Sequence, residues 1–150
     1  MSTSMPLQQL DEALGPWRGL SPVRPGRGWL RAIRRTLGMT TRQAAGRVGV
    51  SQAAVVDAER NEASGDITLT TLQRYAAAMD CRLYYALVPR HSLQQTIEGR
   101  AGELARAQAD AMAVPQPGNP PPDPAQVERL VEDYRRRLLA GRRSRLWQPA

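Results

Sequence analysis

The stretch Thr40–Glu59, TTRQAAGRVGVSQAAVVDAE, places the tightest limit on what this chain can become. Its first half sets Ala44, Ala45 and Val48 on one helical face, at offsets i, i+1 and i+4. Thr40 followed three residues later by Gln43 is a capping box, which gives that helix a chemical reason to start there. Gly49 tolerates positive φ and so can stop the first helix and turn the chain. Ser51 is placed to cap a second helix, whose inward positions are Val55 and Ala58. Two helices joined by a tight glycine turn make a helix-turn-helix, a unit expected to read duplex DNA.

The flanking sequence predicts a mainly α fold: a helix-turn-helix core of four to five helices, one short strand paired across a dimer, and a C-terminal helical extension. Leu7, Leu10 and Leu14 mark a short amphipathic helix over Met5–Leu14, ending at Gly15-Pro16. Trp17–Gly28 is an arm rich in Arg, Pro and Gly, serving either as a linker or as a minor-groove contact. Together these form a first segment, 1–28. The domain proper is expected over 29–90. It opens with a helix over Trp29–Leu37 that turns Leu30, Ile33 and Leu37 inward and ends at Gly38. Gly46, inside the first helix of the motif, suggests close approach of another backbone. Thr68 caps a further helix with Leu69, Leu72, Ala76 and Met79 on one side and Tyr75 at the edge of that face. Arg82–Val88, RLYYALV, alternates with both faces largely apolar and reads as a strand. A lone strand leaves its backbone groups unpaired, so it needs the same strand of a second copy or a piece of the N-terminal arm.

The remainder, 91–150, predicts a helix over Ser92–Met112 with a stripe of Leu93, Ile97, Ala101, Leu104 and Gln108. A proline-rich linker follows over 114–124, and then an amphipathic helix over Ala125–Ala140. That last helix, with Leu138, Leu139 and Trp147 near the end, either docks on a partner protein or folds back on the chain.

Charge narrows the function. The net charge is +7 and every basic residue is Arg, a side chain suited to phosphate forks. No acidic residue falls between Glu12 and Asp57, while Arg18, Arg24, Arg27, Arg31, Arg34, Arg35, Arg42 and Arg47 all do. A positive field there attracts a polyanion and speeds encounter. Cys81 is the sole cysteine and is expected to be a small buried residue; His91 is the sole histidine, and neither suggests a metal site. No cofactor is expected. No paired catalytic carboxylates, activated nucleophile or phosphate-cradling glycine loop points to an enzyme. There is no signal-peptide pattern or membrane-length apolar run, so a cytoplasmic protein is expected.

In the usual docking of this motif the second helix enters the major groove N-terminus first. The base-reading candidates are therefore Gln52, Ala53, Val56 and Asp57. Gln52 both donates and accepts, matching the N6/N7 edge of adenine; Ala53 and Val56 suit a thymine methyl, and Asp57 can accept from cytosine N4. Thr41, Arg42, Arg47 and Ser51 are the phosphate candidates, contacts that set register rather than sequence.

Leu37–Thr40 (LGMT), Gln43–Ser51 (QAAGRVGVS) and the Val55, Ala58, Glu59 pattern make residues 29–79 resemble the Cro/C1-type, xenobiotic-response-element helix-turn-helix family. That resemblance implies an ion pair between Arg34 and Glu59. A narrower one rests on RPGRGWLRAIRRTLGMT, ERNEASGDITLTTLQRYAAAMDCRLYYALVPRHSL and RRSRLW, which are similar to the family called mobile mystery protein A. It implies a regulator or antitoxin-like partner of a co-encoded Fic-domain protein; the expected function is then an autorepressor, with the C-terminal helix as the expected contact for that partner. Fic inhibitors often carry Ser/Thr, three residues, Glu, then Gly/Asn. Glu98-Gly99 is the nearest match, with Gln94 standing where the hydroxyl residue belongs. The alternative is a module that inhibits or scaffolds a partner protein without reading DNA.

Overall fold

A computed structural model describes residues 5–21 and 23–148; Pro22 of the arm and the outermost positions of 1–28 and 91–150 lie outside the described residues. The chain divides into two compact units. One is Leu20–Leu87; the other joins the residues up to Gly19 with those from Val88 onward. The arm and the first helix, read together as 1–28 in the sequence, thus fall in different units.

The Leu20–Leu87 unit holds four helices: α2 (Trp29–Thr36), α3 (Thr41–Val48), α4 (Gln52–Ser64) and α5 (Leu69–Ala78). Their ends follow from local chemistry. Thr40 accepts from the Gln43 backbone N–H while the Gln43 side chain accepts from Thr40, a complete capping box. Gly49 closes α3 in the left-handed region at φ 80°. Ser51 and Thr68 cap α4 and α5 through their hydroxyls. The core is thin, built from Leu30, Ala44, Ala45, Val55, Ala58, Tyr75 and Met79, with Cys81 partly buried against it. Alanines at the α3 contacts let neighbouring helices approach closely, which suits a chain without phenylalanine.

Three expectations for this unit are corrected. Leu37 is not inward but 55% exposed, because α2 stops one residue earlier and Gly38 turns the chain away. Gly46 is approached by nothing: a Cβ built there meets no atom within 4 Å, since the position faces solvent. Tyr75 is no edge residue but only 6% exposed; burial pushes its hydroxyl pKa up, and the neutral group donates to the Ala54 carbonyl at 3.1 Å.

Arg82–Val88 runs without regular structure, and among the described residues the sole β pairing is an isolated bridge between Gln116 and Asn119. The expected strand is therefore absent within one chain. Alternating apolar residues favour extension, but a strand also needs a ladder partner.

The second unit contains α1 (Leu7–Arg18), α6 (Leu93–Met112), α7 (Pro124–Ala140) and a closing 3-10 turn, Arg143–Trp147. Helix α1 does not end at Gly15-Pro16 but continues through Pro16 to Arg18. Arg18 reaches back to Asp11, Nη2 to Oδ1 at 3.0 Å and to the Asp11 carbonyl at 3.3 Å, bracing the turns around the proline. The buried stripe of α6 is Ala101, Ala105 and Ala109, each 0% exposed, rather than one that includes Gln108, which is exposed. Small side chains win that face because α7 and Leu146 pack directly on it. Helix α6 starts at a second complete capping box, Ser92 with Gln95, and α7 at a third, Asp123 with Gln126.

Candidate nucleic-acid interface

Helix α4 is fastened along one side and free along the other. Val55, Ala58, Glu59 and Glu62 are buried, at i, i+3, i+4 and i+7. Gln52, Ala53, Val56, Asp57 and Arg60 occupy the opposite face and are exposed.

The fastening has three points along the helix. Near its start, Tyr75 of α5 bonds the Ala54 carbonyl. In the middle, Arg34 of α2 forks onto Glu59: Nε to Oε1 at 2.5 Å and Nη2 to Oε2 at 3.1 Å. The third guanidinium nitrogen, Nη1, donates to the Met39 carbonyl at 2.8 Å, so all three are engaged. The hydrogen bond to Glu59 raises the Arg34 pKa above its ordinary value, against the opposing effect of burial. Both side chains are about nine-tenths covered, at 11% and 8% exposure. A bidentate, nearly dry pair of this kind fixes orientation; removing one partner leaves an uncompensated charge, a cost of about 3–5 kcal/mol.

At the far end, Glu62 crosses to α2. Its Oε1 accepts from the Trp29 N–H at 2.9 Å and Oε2 from the Leu30 N–H at 3.1 Å. Two of the orphan donors at the α2 N-terminus are thereby satisfied by a carboxylate from another helix, which the helix dipole also favours. Arg24 of the arm closes the knot by donating to the carbonyls of Glu62 and Ala63, the latter at 3.2 Å. That part of the arm is therefore folded onto the C-terminal end of α4.

The sequence-named site residues are not all in one place. Gln52 and Thr41 meet directly: Gln52 Nε2 donates to Thr41 Oγ1 at 2.7 Å, linking the starts of α4 and α3. An amide has two N–H groups, so this bond leaves Gln52 its carbonyl oxygen and a second N–H. Ser51 is occupied as the α4 cap, its Oγ accepting from the Ala54 N–H at 3.1 Å. Arg42 is exposed in the first turn of α3. Arg47 sits at the opposite end of α3, where its Nε donates to the Ala78 carbonyl at 2.6 Å and ties α3 to the end of α5. Asp57 holds Arg60, Nη2 to Oδ1 at 2.7 Å, with both side chains more than half exposed.

Arg60 was missed in the sequence. The signal was its spacing, three residues after Asp57 on the helix face already assigned to bases. Glu62 was missed too, because a carboxylate capping a helix elsewhere in the chain leaves no local pattern. Among the described residues no cluster of three or more His, Cys, Asp or Glu is placed to hold a metal, and no helix is long and apolar enough to cross a membrane.

Comparison with known proteins agrees with this geometry. Residues 30–85 match the helix-turn-helix family, and this span is a Cro/C1-type helix-turn-helix domain, a DNA-binding class. No curated protein and no solved structure matches the chain.

Proposed function

We propose that this chain uses its helix-turn-helix domain to bind specific double-stranded DNA sequences as a transcription regulator, probing the major groove with α4. The observation that carries this reading is the division of α4 into a side held by Tyr75, Arg34 and Glu62 and an exposed side led by Gln52. Gln52, braced by Thr41, offers one donor and one acceptor to an adenine edge. Ala53 and Val56 meet thymine methyls. Asp57 accepts from cytosine N4 or steadies Arg60, whose guanidinium suits a guanine edge. Arg42, exposed in the first turn of α3 where a helix N-terminus favours an anion, holds a phosphate; Thr41, Ser51 and Arg47 are lesser contacts, since each already makes an internal bond.

The functional species is a homodimer paired through Arg82–Val88. Supporting this are Tyr84, Tyr85 and Leu87, 68%, 67% and 89% exposed on a segment without regular structure of its own. A neighbouring apolar groove of about 550 Å3, lined by Trp29, Ile33, Leu72, Met79 and Leu83, also supports it. Two-fold pairing presents two α4 helices to half-sites about one helical turn apart. The resemblance to mobile mystery protein A adds a role as autorepressor and antitoxin-like partner of a Fic-domain protein, bound through the C-terminal helix. Co-expression with the product of a neighbouring gene encoding such a protein, followed by co-purification, tests that addition.

A gel-shift titration on the DNA upstream of the chain's own gene tests the main reading. Gln52→Ala should cost about 1–3 kcal/mol of discrimination at one base pair, whereas Arg42→Ala should weaken all sequences alike. Affinity that does not change between about 50 and 200 mM salt would refute phosphate-dominated binding.

A further inference from the structure

From Tyr134 to the end the chain contains six arginines and no acidic residue. Two are committed within α7: Arg135 to Glu132 at 3.2 Å and Arg137 to Asp133 at 2.6 Å. Arg136, Arg142, Arg143 and Arg145 are exposed and form no ion pair among the described residues. They do not ride on a loose tail. Leu146, 1% exposed, is buried where the turn packs on α6, and Arg100 Nε donates to its carbonyl at 3.0 Å. The Arg145 N–H closes the turn onto the Arg142 carbonyl, also at 3.0 Å. Like charges held this close repel one another, and a fixed scaffold preserves that repulsion until a polyanion relieves it.

The geometry points to a second nucleic-acid contact on this unit, in which Arg142, Arg143 and Arg145, with Arg136 of α7, grip the phosphate backbone of duplex DNA without reading sequence. The inference rests on the DNA-binding reading of the helix-turn-helix only for the identity of the polyanion. A phosphate chain fits better than an acidic protein because a protein interface needs a broad apolar centre, which one exposed apolar side chain among four unpaired arginines does not make. Here the anchoring leucine points inward, and the exposed apolar group of the turn is Trp147, at 54%. A flat indole beside arginines suits a sugar-phosphate edge. Tethering such a patch to a domain already on DNA raises its effective concentration, so weak contacts suffice.

The test measures binding of the full chain to a random-sequence DNA duplex by fluorescence anisotropy over a salt series. The triple variant R142Q/R143Q/R145Q should lower the slope of log K against log salt by about 0.9 for each phosphate left without its arginine, or about 2.7 in all. A control, R106Q/R135Q/R137Q, removes the same charge from residues paired to Glu128, Glu132 and Asp133 and should leave the slope near wild type. Melting curves of both variants confirm that the fold survives, and single substitutions at Arg142 and Arg143 give the same reading if the triple does not fold. An unchanged slope in the triple variant, or equal slopes in triple and control, overturns the inference. Arg42→Gln in the same series separates the two proposals: a slope insensitive to Arg42 but sensitive to the triple sinks the helix-turn-helix reading and keeps this one.

Discussion

Gly28 has φ 84° and ψ 161°, a region that side-chain-bearing residues essentially do not occupy. A Cβ there would lie 2.0 Å from Glu62 Oε2, the oxygen that accepts from Leu30. Only glycine lets the chain bend sharply enough for a carboxylate from α4 to cap α2. Gly28→Ala should therefore cost about 1–3 kcal/mol in backbone strain, plus about 1.5–3 kcal/mol for the displaced cap. Because Glu62→Gln weakens the same cap, the double variant should be less destabilised than the sum of the singles. Urea titrations of all four proteins measure this, and strict additivity would show that the two positions do not act as one unit. The residues that orient α4 are thus separate from those that would touch a base. A change at Glu62 is expected to act through fold rather than chemistry.

At the scale of elements, a repeated device is one helix lending a carboxylate to another. As Glu62 caps α2, so Asp11 of α1 caps α6: Oδ1 accepts from the Leu93 N–H at 2.6 Å and Oδ2 from the Gln94 N–H at 3.1 Å. Desolvation pushes the Asp11 carboxyl pKa up, but the two backbone donors and Arg18 outweigh it and hold the group below its ordinary value. A carboxyl depressed in the folded state stabilises above its unfolded pKa, and that stabilisation is lost as pH falls through the folded value. Unfolding followed by helical circular dichroism should show a wild-type stability decline below about pH 4 that Asp11→Asn flattens. Equal pH profiles would remove Asp11 from the cap. Helix α3 offers a change in the other direction. Its Gly46 is exposed with open space around it, so Gly46→Ala should raise stability by about 1 kcal/mol in thermal or urea unfolding. A loss of stability instead would mean that α3 needs the freedom of glycine.

For the whole molecule, the proposed pairing of Arg82–Val88 with a second copy is testable at one exposed position. Tyr85 is exposed, so Tyr85→Pro removes one ladder donor with little effect on the single-chain fold. Sedimentation equilibrium should show the proline variant dissociating at concentrations where wild type remains dimeric; an unchanged association constant would place the interface elsewhere. The helix-turn-helix and its caps were legible in the sequence because they are local: Thr40, Gly49 and Ser51 each act within four residues of their own position. The exposed face of α4 followed from the same periodicity. Arg34 and Glu59 were nameable only through family spacing, and the roles of Gly28, Arg24, Glu62 and Asp11 not at all, since each acts across a wide gap in sequence. Pattern alone put Ala101 on the buried stripe of α6 but carried the stripe on through Leu104 and Gln108 instead of Ala105 and Ala109. Hydrophobicity ranks leucine above alanine, but close packing against α7 and Leu146 favours the smaller side chain. By itself the amino-acid order determined where α3, α4 and α5 begin, where α3 ends and which side of α4 is apolar, because caps are hydrogen bonds between near neighbours and a helix face follows from residue spacing. Which carboxylate caps which helix, and how α4 is held so that Gln52 leads, was decided only when distant segments met, since those bonds exist only in the folded chain.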